Sequence, residues 1–452
     1  MVSTTKGLAR AAAAIAALGA STAFAQVLTE DKPGLREASP RWHALTDVTL
    51  VAAPGRVVPR ATVVLKDGLI VAAGAGVAVP AGARVWSLPG RRVYAGFIDA
   101  ASSFGVPEPL RAAAPPRPTM GPGAEPTPPT GARTEPRPLV ARATAARNSM
   151  LRAEQDVAAQ LDWRVDEARP LRELGFTAVL STPAMGVWRG QGALVALGGA
   201  DASEARAQVV QARATQHLAF DVLSRADSGY PTSLMGAVAL ARQTLYDARW
   251  YRARTTGGGQ RLEPNDSLTA LGGVLDGRQA VIVAASDEPL ILPLNFPAPP
   301  DLQDPDAALD IPLVTLQHWE QAPANAARLQ AAGVPLAFTA SGLRDPAREF
   351  WPRVRQAVQR GLSADAALAA LTTQPAALLG EEARLGQIDK GRVANLVVTR
   401  GDPFTDEDAA IEWVFIDGRP LASEAAQRGD PRGTWAVAGG GTVQISGSRD
   451  AP

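Results

Sequence analysis

The chain has 452 residues, 46% of them hydrophobic and 20% charged, with 45 basic residues against 45 acidic ones. That length accommodates a sizeable core and more than one structural unit, while the balanced charge leaves no net field to draw the chain to nucleic acid or an anionic membrane. With no cysteine, disulfides, thiol nucleophiles and a lipidated cysteine anchor are all excluded.

The first 25 residues read as an export leader. Lys6 and Arg10 precede the apolar run Ala11 to Ala20, and Ala23-Phe24-Ala25 has the small-x-small pattern of a signal peptidase site. Cleavage after Ala25 predicts a periplasmic or secreted protein. The run is shorter than the roughly 20 apolar residues a membrane span needs, so no span is expected.

Residues 41–92 read as strand and turn. Val48 and Leu50 alternate with polar neighbours, and Ala61-Thr62-Val63-Val64-Leu65 meets Leu69-Ile70-Val71-Ala72 across Lys66-Asp67-Gly68, a hairpin in which glycine supplies positive φ. The same texture returns over 381–425, in Ala394-Asn395-Leu396-Val397-Val398 and Glu412-Trp413-Val414-Phe415-Ile416-Asp417-Gly418. Two half-sheets that far apart complete one another if the intervening chain is an inserted unit whose ends meet. A small composite β-sandwich built from both chain ends is therefore expected.

The insert, residues 93–380, alternates short apolar strands with helical patterns. Strands are expected at Val93 to Ile98, Phe176 to Ser181, Ala193 to Leu197, Ala280 to Ala284, Pro312 to Leu316 and Val334 to Thr339. Leu234, Val238, Ala241, Leu245 and Ala248 fall at helical spacing, as does the segment Pro323 to Ala332 ahead of Gly333. Such alternation predicts an α/β fold with a parallel sheet, closed at this size as a TIM-like (β/α)8 barrel.

Three segments stand apart. Pro107 to Pro138 holds eleven of the 37 prolines, which predicts an extended excursion serving as a spacer or a lid. Gly257-Gly258-Gly259 reads as a loop. At 433–452, Thr434 to Val437 and Thr442 to Ser446 flank Gly439-Gly440-Gly441, giving a β-hairpin that either docks on the small sheet or opens a further domain. Trp163, Trp188, Trp250 with Tyr251, Trp319, and Trp351 with Phe350 are expected in the core, with the lining of a binding cleft as their alternative use.

Residues Val93 to Asp99 and the strands before them resemble one end of an amidohydrolase-superfamily chain. Leu385-Gly386-Gln387-Ile388-Asp389-Lys390-Gly391-Arg392-Val393-Ala394-Asn395-Leu396-Val397-Val398 with Gly401-Asp402-Pro403 resembles the other, as does the helix Ala367 to Ala376 before it. With Tyr230-Pro231-Thr232-Ser233-Leu234-Met235-Gly236, the likeness is to the amino-terminal half of long exported amidohydrolase-like proteins of the composite-domain, imidazolonepropionase-like type. It implies a metal-dependent hydrolase acting on carbon-nitrogen but not peptide bonds.

The family's metal ligands do not carry over. Matched to its motifs, the two histidines after Ile98-Asp99 fall at Ala101 and Ser103, and the aspartate of the last barrel strand falls near Ser341. Imidazole is the preferred nitrogen ligand of a hydrolytic zinc centre, and the chain has three histidines: His43, His217 and His318. His43 precedes the small sheet. His217 lies in a helical context and reads as structural, whereas His318 follows an expected strand. A mononuclear zinc-type site would be assembled from His318, with or without His217, and carboxylates such as Asp99, Glu320 or Asp345. No Gly-x-Ser-x-Gly elbow, phosphate-binding Gly-rich loop or His-Glu-x-x-His motif is present.

Three functions remain. The first is a catalytically degenerate amidohydrolase barrel that docks beside an active amidohydrolase domain or subunit. The second is a working mononuclear metal hydrolase built on His318. The third is a periplasmic module that binds a small molecule at the barrel mouth.

Overall fold

The computed structural model describes residues 42–111, 148–200, 202–223, 229–256, 262–284, 291–299, 311–427, 433–436 and 442–445. The leader expected at 1–25, the proline-rich stretch from residue 112 onward and the glycine loop at 257–259 lie outside them.

The amino-terminal strands are β1 (Trp42–Ala53), β2 (Arg56–Lys66), β3 (Leu69–Ala75), β4 (Arg84–Ser87), β5 (Arg91–Ala95) and β6 (Phe97–Ser102). Further along come β7 (Phe176–Ser181), β8 (Trp188–Ala196), β9 (Val209–Ala219), β10 (Ala280–Ala284), β11 (Ile291–Pro293) and β12 (Ala337–Thr339). The carboxy-terminal strands are β13 (Leu396–Arg400), β14 (Ala410–Ile416), β15 (Arg419–Ala422), β16 (Gly433–Ala436) and β17 (Thr442–Ile445).

One sheet takes strands from both ends of the chain, in the order β15-β14-β13-β5-β1-β2-β3, with β4 also paired to β1. The join is the antiparallel pairing of β5 with β13, in which Val93 faces Val398. Its hairpins follow from local chemistry. Asp67 and Gly68 have φ of 47° and 81°, and Asp417 and Gly418 have 50° and 74°, the double positive φ that suits the twist of a two-residue hairpin. The β3 edge turns back onto the segment that leads into β13. Ile70 N–H donates to Arg392 O and Ala394 N–H to Gly68 O, each at 2.8 Å, and Gly418 N–H donates to Ala394 O at 3.0 Å. Leu45, Leu50, Val63, Leu65, Ile70, Val93, Leu396 and Phe415 fill the space enclosed.

A second sheet has the order β10-β9-β8-β7-β6, and β11 pairs separately with β12. β6 with β7 and β9 with β10 run parallel, as expected, but β7 with β8 and β8 with β9 are antiparallel. The reason is chain length: β7 and β8 are separated only by residues 182–187, and a parallel return needs a crossover of about a dozen residues. β12 lies against β6, where Thr339 Oγ1 donates to Ala101 O at 2.5 Å. Among the described residues these strands form the open five-stranded sheet and the flanking pair, and no closed ring of eight parallel strands is present.

Helix Pro346–Gln359 packs over this region, burying Phe350, Val354 and Ala357. Phe350 meets Phe176 edge-on at 5.2 Å, and Trp351 meets Phe97 at 5.6 Å and Phe404 at 5.5 Å. Trp163 and Trp188 are buried as expected, whereas Trp250 is 53% exposed. β16 and β17 pair antiparallel in a two-stranded sheet of their own. No helix among the described residues is long and apolar enough to cross a membrane.

Candidate functional site

The positions singled out by motif begin at the end of β6. Gly96 admits β6 to its place, because a Cβ there would collide with the Thr177 side chain. Two residues into β6, Asp99 is only 1% exposed. Its Oδ1 accepts the Ala101 N–H at 3.1 Å, and the Ala340 N–H and the Thr339 hydroxyl also stand within reach of the carboxylate. Burial dominates these donors and raises the Asp99 pKa to about 6. Thr339 has a single proton, and the 2.5 Å approach to Ala101 O assigns it there. Its oxygen in turn accepts the Ser341 N–H at 3.0 Å.

The strand ends therefore bring Asp99, Ala101 and Ser341 to one place, with Ser103 following at the surface. What they offer is a methyl group at Ala101 and two exposed hydroxyls at Ser103 and Ser341. Asp99 is the one carboxylate among them, and the protein's own donors occupy it. These residues do not fit a divalent metal, which needs several converging imidazole or carboxylate groups. Among the described residues no base is hydrogen-bonded to either serine to activate it as a nucleophile.

His217 is not helical. It lies on β9, facing Gly190 of β8 and Ile282 of β10. The segment's alanine-rich texture suggests a helix, but pairing on both sides holds it as strand. β9 is three strands from β6, about 14 Å across the sheet. The His217 Nε2 is 2.8 Å from Thr215 Oγ1, and a Cβ on Gly192 would come within 2.5 Å of it. Burial, with a smaller contribution from the Arg189 charge, lowers its pKa to about 3. It is a neutral, packed imidazole.

His318 does not follow a strand either. Pro312 caps a helix, Leu313–Gln321, and His318 is exposed on it. The apolar pair that suggests a buried strand faces outward, with Leu313 68% and Val314 70% exposed. The carboxylates considered with it are engaged elsewhere. Glu320 accepts Arg360 Nη1 at 2.6 Å, and Asp345 caps the helix Pro346–Gln359 by accepting the Arg348 N–H at 3.3 Å. His43 accepts the Trp86 indole N–H at its Nδ1, 3.1 Å away, within the composite sheet. Among the described residues no group of three or more His, Asp or Glu side chains is arranged to hold a metal ion. Thr339 is the one member of the site that the sequence reading missed; its only signal is a hydroxyl next to the strand end at Ala340-Ser341.

Residues 314–422 match the amidohydrolase family. The likeness to that family lies in the carboxy-terminal part of the chain. The matched region holds β12, Ser341 and the carboxy-terminal strands of the composite sheet, but not β6 with Asp99, Ala101 and Ser103. Among solved structures, an amidohydrolase from Thermotoga maritima MSB8 is 18% identical with a TM-score of 0.58, covering 84% of this chain and 99% of its own. That likeness is one of fold. A Xaa-Pro dipeptidase with methionine bound in its active site is 17% identical with a TM-score of 0.43, over 84% of this chain and all of its own. An N-acetylglucosamine-6-phosphate deacetylase from Pasteurella multocida is 12% identical with a TM-score of 0.41, over the same shares. No curated protein matches this amidohydrolase-like chain.

Proposed function

We propose that this amidohydrolase-like chain is a non-catalytic half, exported to the periplasm or beyond, which works beside a catalytic amidohydrolase domain or subunit. The strands β6 to β12 are, in this reading, one wall of the family's barrel. The observation that carries it is the hydrogen-bonded seam at Asp99, Ala101, Thr339 and Ser341. There the positions matched to metal ligands stand together as alanine and serine, and the carboxylate among them is spent on protein donors.

Repair from elsewhere in the chain has no support in the geometry. His217 is neutral and packed three strands away, and His318 stands on an exposed helix whose neighbouring carboxylates are paired. A hydrolase centre also needs an activated water; hydroxyls without a metal or a base do not supply one.

The test is turnover by purified residues 26–452 on N-acyl amino acids, cyclic ureides and Xaa-Pro dipeptides, with zinc or manganese supplied. The expected result is no hydrolysis above the buffer rate, and no change on His318→Ala. Metal-dependent hydrolysis that His318→Ala or Asp99→Asn abolishes would overturn the reading in favour of a mononuclear hydrolase.

A further inference from the structure

Helix Leu234–Thr256 leaves bulky apolar residues on its outer face. Its buried positions are Gly236, Ala237, Ala241, Thr244 and Ala248, all small. They lie against a cluster containing Met150, Trp188 and Leu271. Leu240 and Leu245 pack partly against the same cluster, but several large residues point to solvent: Met235 is 81% exposed, Trp250 53% and Tyr246 48%. An ordinary surface helix places its bulky apolar stripe toward the core.

The outward face is also basic. Arg242, Arg249 and Arg254 take part in no ion pair among the described residues, while Arg252 is engaged by Asp276. The Arg242 guanidinium lies 5.7 Å from the Tyr246 ring centroid and that of Arg254 5.8 Å from the Trp250 ring. Asp247, the acidic side chain of this helix, accepts Gln243 Nε2 at 2.8 Å. Met235, Arg242 and Arg249 recur every seven residues, and so do Ala239, Tyr246 and Ala253. Both rows lie on one helical face and step about 10.5 Å, so Arg242 and Arg249 stand two turns apart, the spacing of carboxylates seven residues apart on a docked helix. Tyrosine, tryptophan and arginine are the residues that dominate protein interfaces.

We propose that this face docks a helix of a second protein, apolar along one stripe and carrying carboxylates seven residues apart that meet Arg242 and Arg249. Charge complementarity selects that occupant. A second copy, paired antiparallel about a two-fold axis midway between them, sets Arg242 of one chain against Arg249 of the other, a like-charge contact. The inference extends the reading of the chain as a docking half, yet it stands on the helix face alone. Metal content and turnover are untouched by substitutions here, so either reading can fail without the other.

The probe is a synthetic amphipathic peptide with leucine along the seam and glutamate at seven-residue spacing beside it, titrated into the whole protein by fluorescence anisotropy. Its control carries lysine for each glutamate. The glutamate peptide is expected to bind and the lysine peptide not. The double variant Arg242→Glu, Arg249→Glu is expected to weaken the first at least tenfold and to gain the second, with circular dichroism confirming an unchanged fold. Equal binding of both peptides, or binding of neither, overturns the proposal. So does self-association that Met235→Lys abolishes, which assigns the face to a second copy, and so does arginine-dependent binding to phosphatidylglycerol vesicles without peptide binding, which assigns it to a membrane.

Discussion

Thr339 Oγ1 and Ala101 O stand 2.5 Å apart, tying the last strand of the central region to the first beside the buried carboxylate of Asp99. Ala101 and Ser341, two of the positions that the sequence matches to metal ligands, meet at this seam. Here it is closed by a hydroxyl and a backbone carbonyl.

The seam gives Asp99 a signature in pH. Its folded pKa, about 6, is raised above the ordinary 3.8. The protonated form is therefore favoured on folding, and the stability linked to it is fully present below pH 3.8 and lost as pH rises through 6. The loss is on the order of 3 kcal/mol. Denaturant unfolding at a series of pH values should show that decline between pH 4 and 7, and Asp99→Asn should remove it. A variant with the wild-type slope would show that Asp99 ionises freely.

His217 acts in the opposite sense. Its folded pKa of about 3 lies below the ordinary 6.5, so its contribution is present above pH 6.5 and fades as pH falls toward 3. His217→Gln is expected to lessen acid destabilisation over that window while costing about 1–3 kcal/mol at neutral pH through the lost Thr215 contact. His318→Ala, on an exposed helix face, is expected to change stability by less than about 0.5 kcal/mol. Chemical denaturation at pH 4 and 7 checks all three.

The two Asp-Gly turns of the composite sheet touch. A Cβ on Gly68 would meet Asp417 O at 3.2 Å, and one on Gly418 would meet Gly68 Cα at 3.3 Å. Gly68→Ala should therefore cost about 1–3 kcal/mol, from positive φ and crowding together. Gly82→Ala, at φ 79° with nothing within 4 Å, carries the conformational cost alone, about 1 kcal/mol. Combining Gly68→Ala with Gly418→Ala should be non-additive, since one shift of the paired turns relieves both. Strict additivity would mean that the turns do not bear on one another.

These turns also mark what the sequence makes legible. Asp67-Gly68 and Asp417-Gly418 are local signals, and the alternating strands around them announce two half-sheets before their pairing is seen. The expected match of Ala101, Ser103 and Ser341 to ligand positions is legible for the same reason, because it needs only a motif to be aligned. Long-range partners are not. Thr339 and Ala101 are 238 residues apart, and no local pattern pairs them. Leu313-Val314 misleads because apolar residues normally report burial, whereas here they lie on an exposed helix. His217 misleads because both flanking strands, which hold its segment extended, lie outside any local window.

The most direct measurement is bound metal in purified residues 26–452, by elemental analysis after exposure to zinc and manganese and dialysis. Well below one equivalent is expected, together with a cooperative unfolding transition that added metal does not shift. Near-stoichiometric metal, lost on Asp99→Asn or His318→Ala, would contradict a degenerate site and make this chain a hydrolase in its own right.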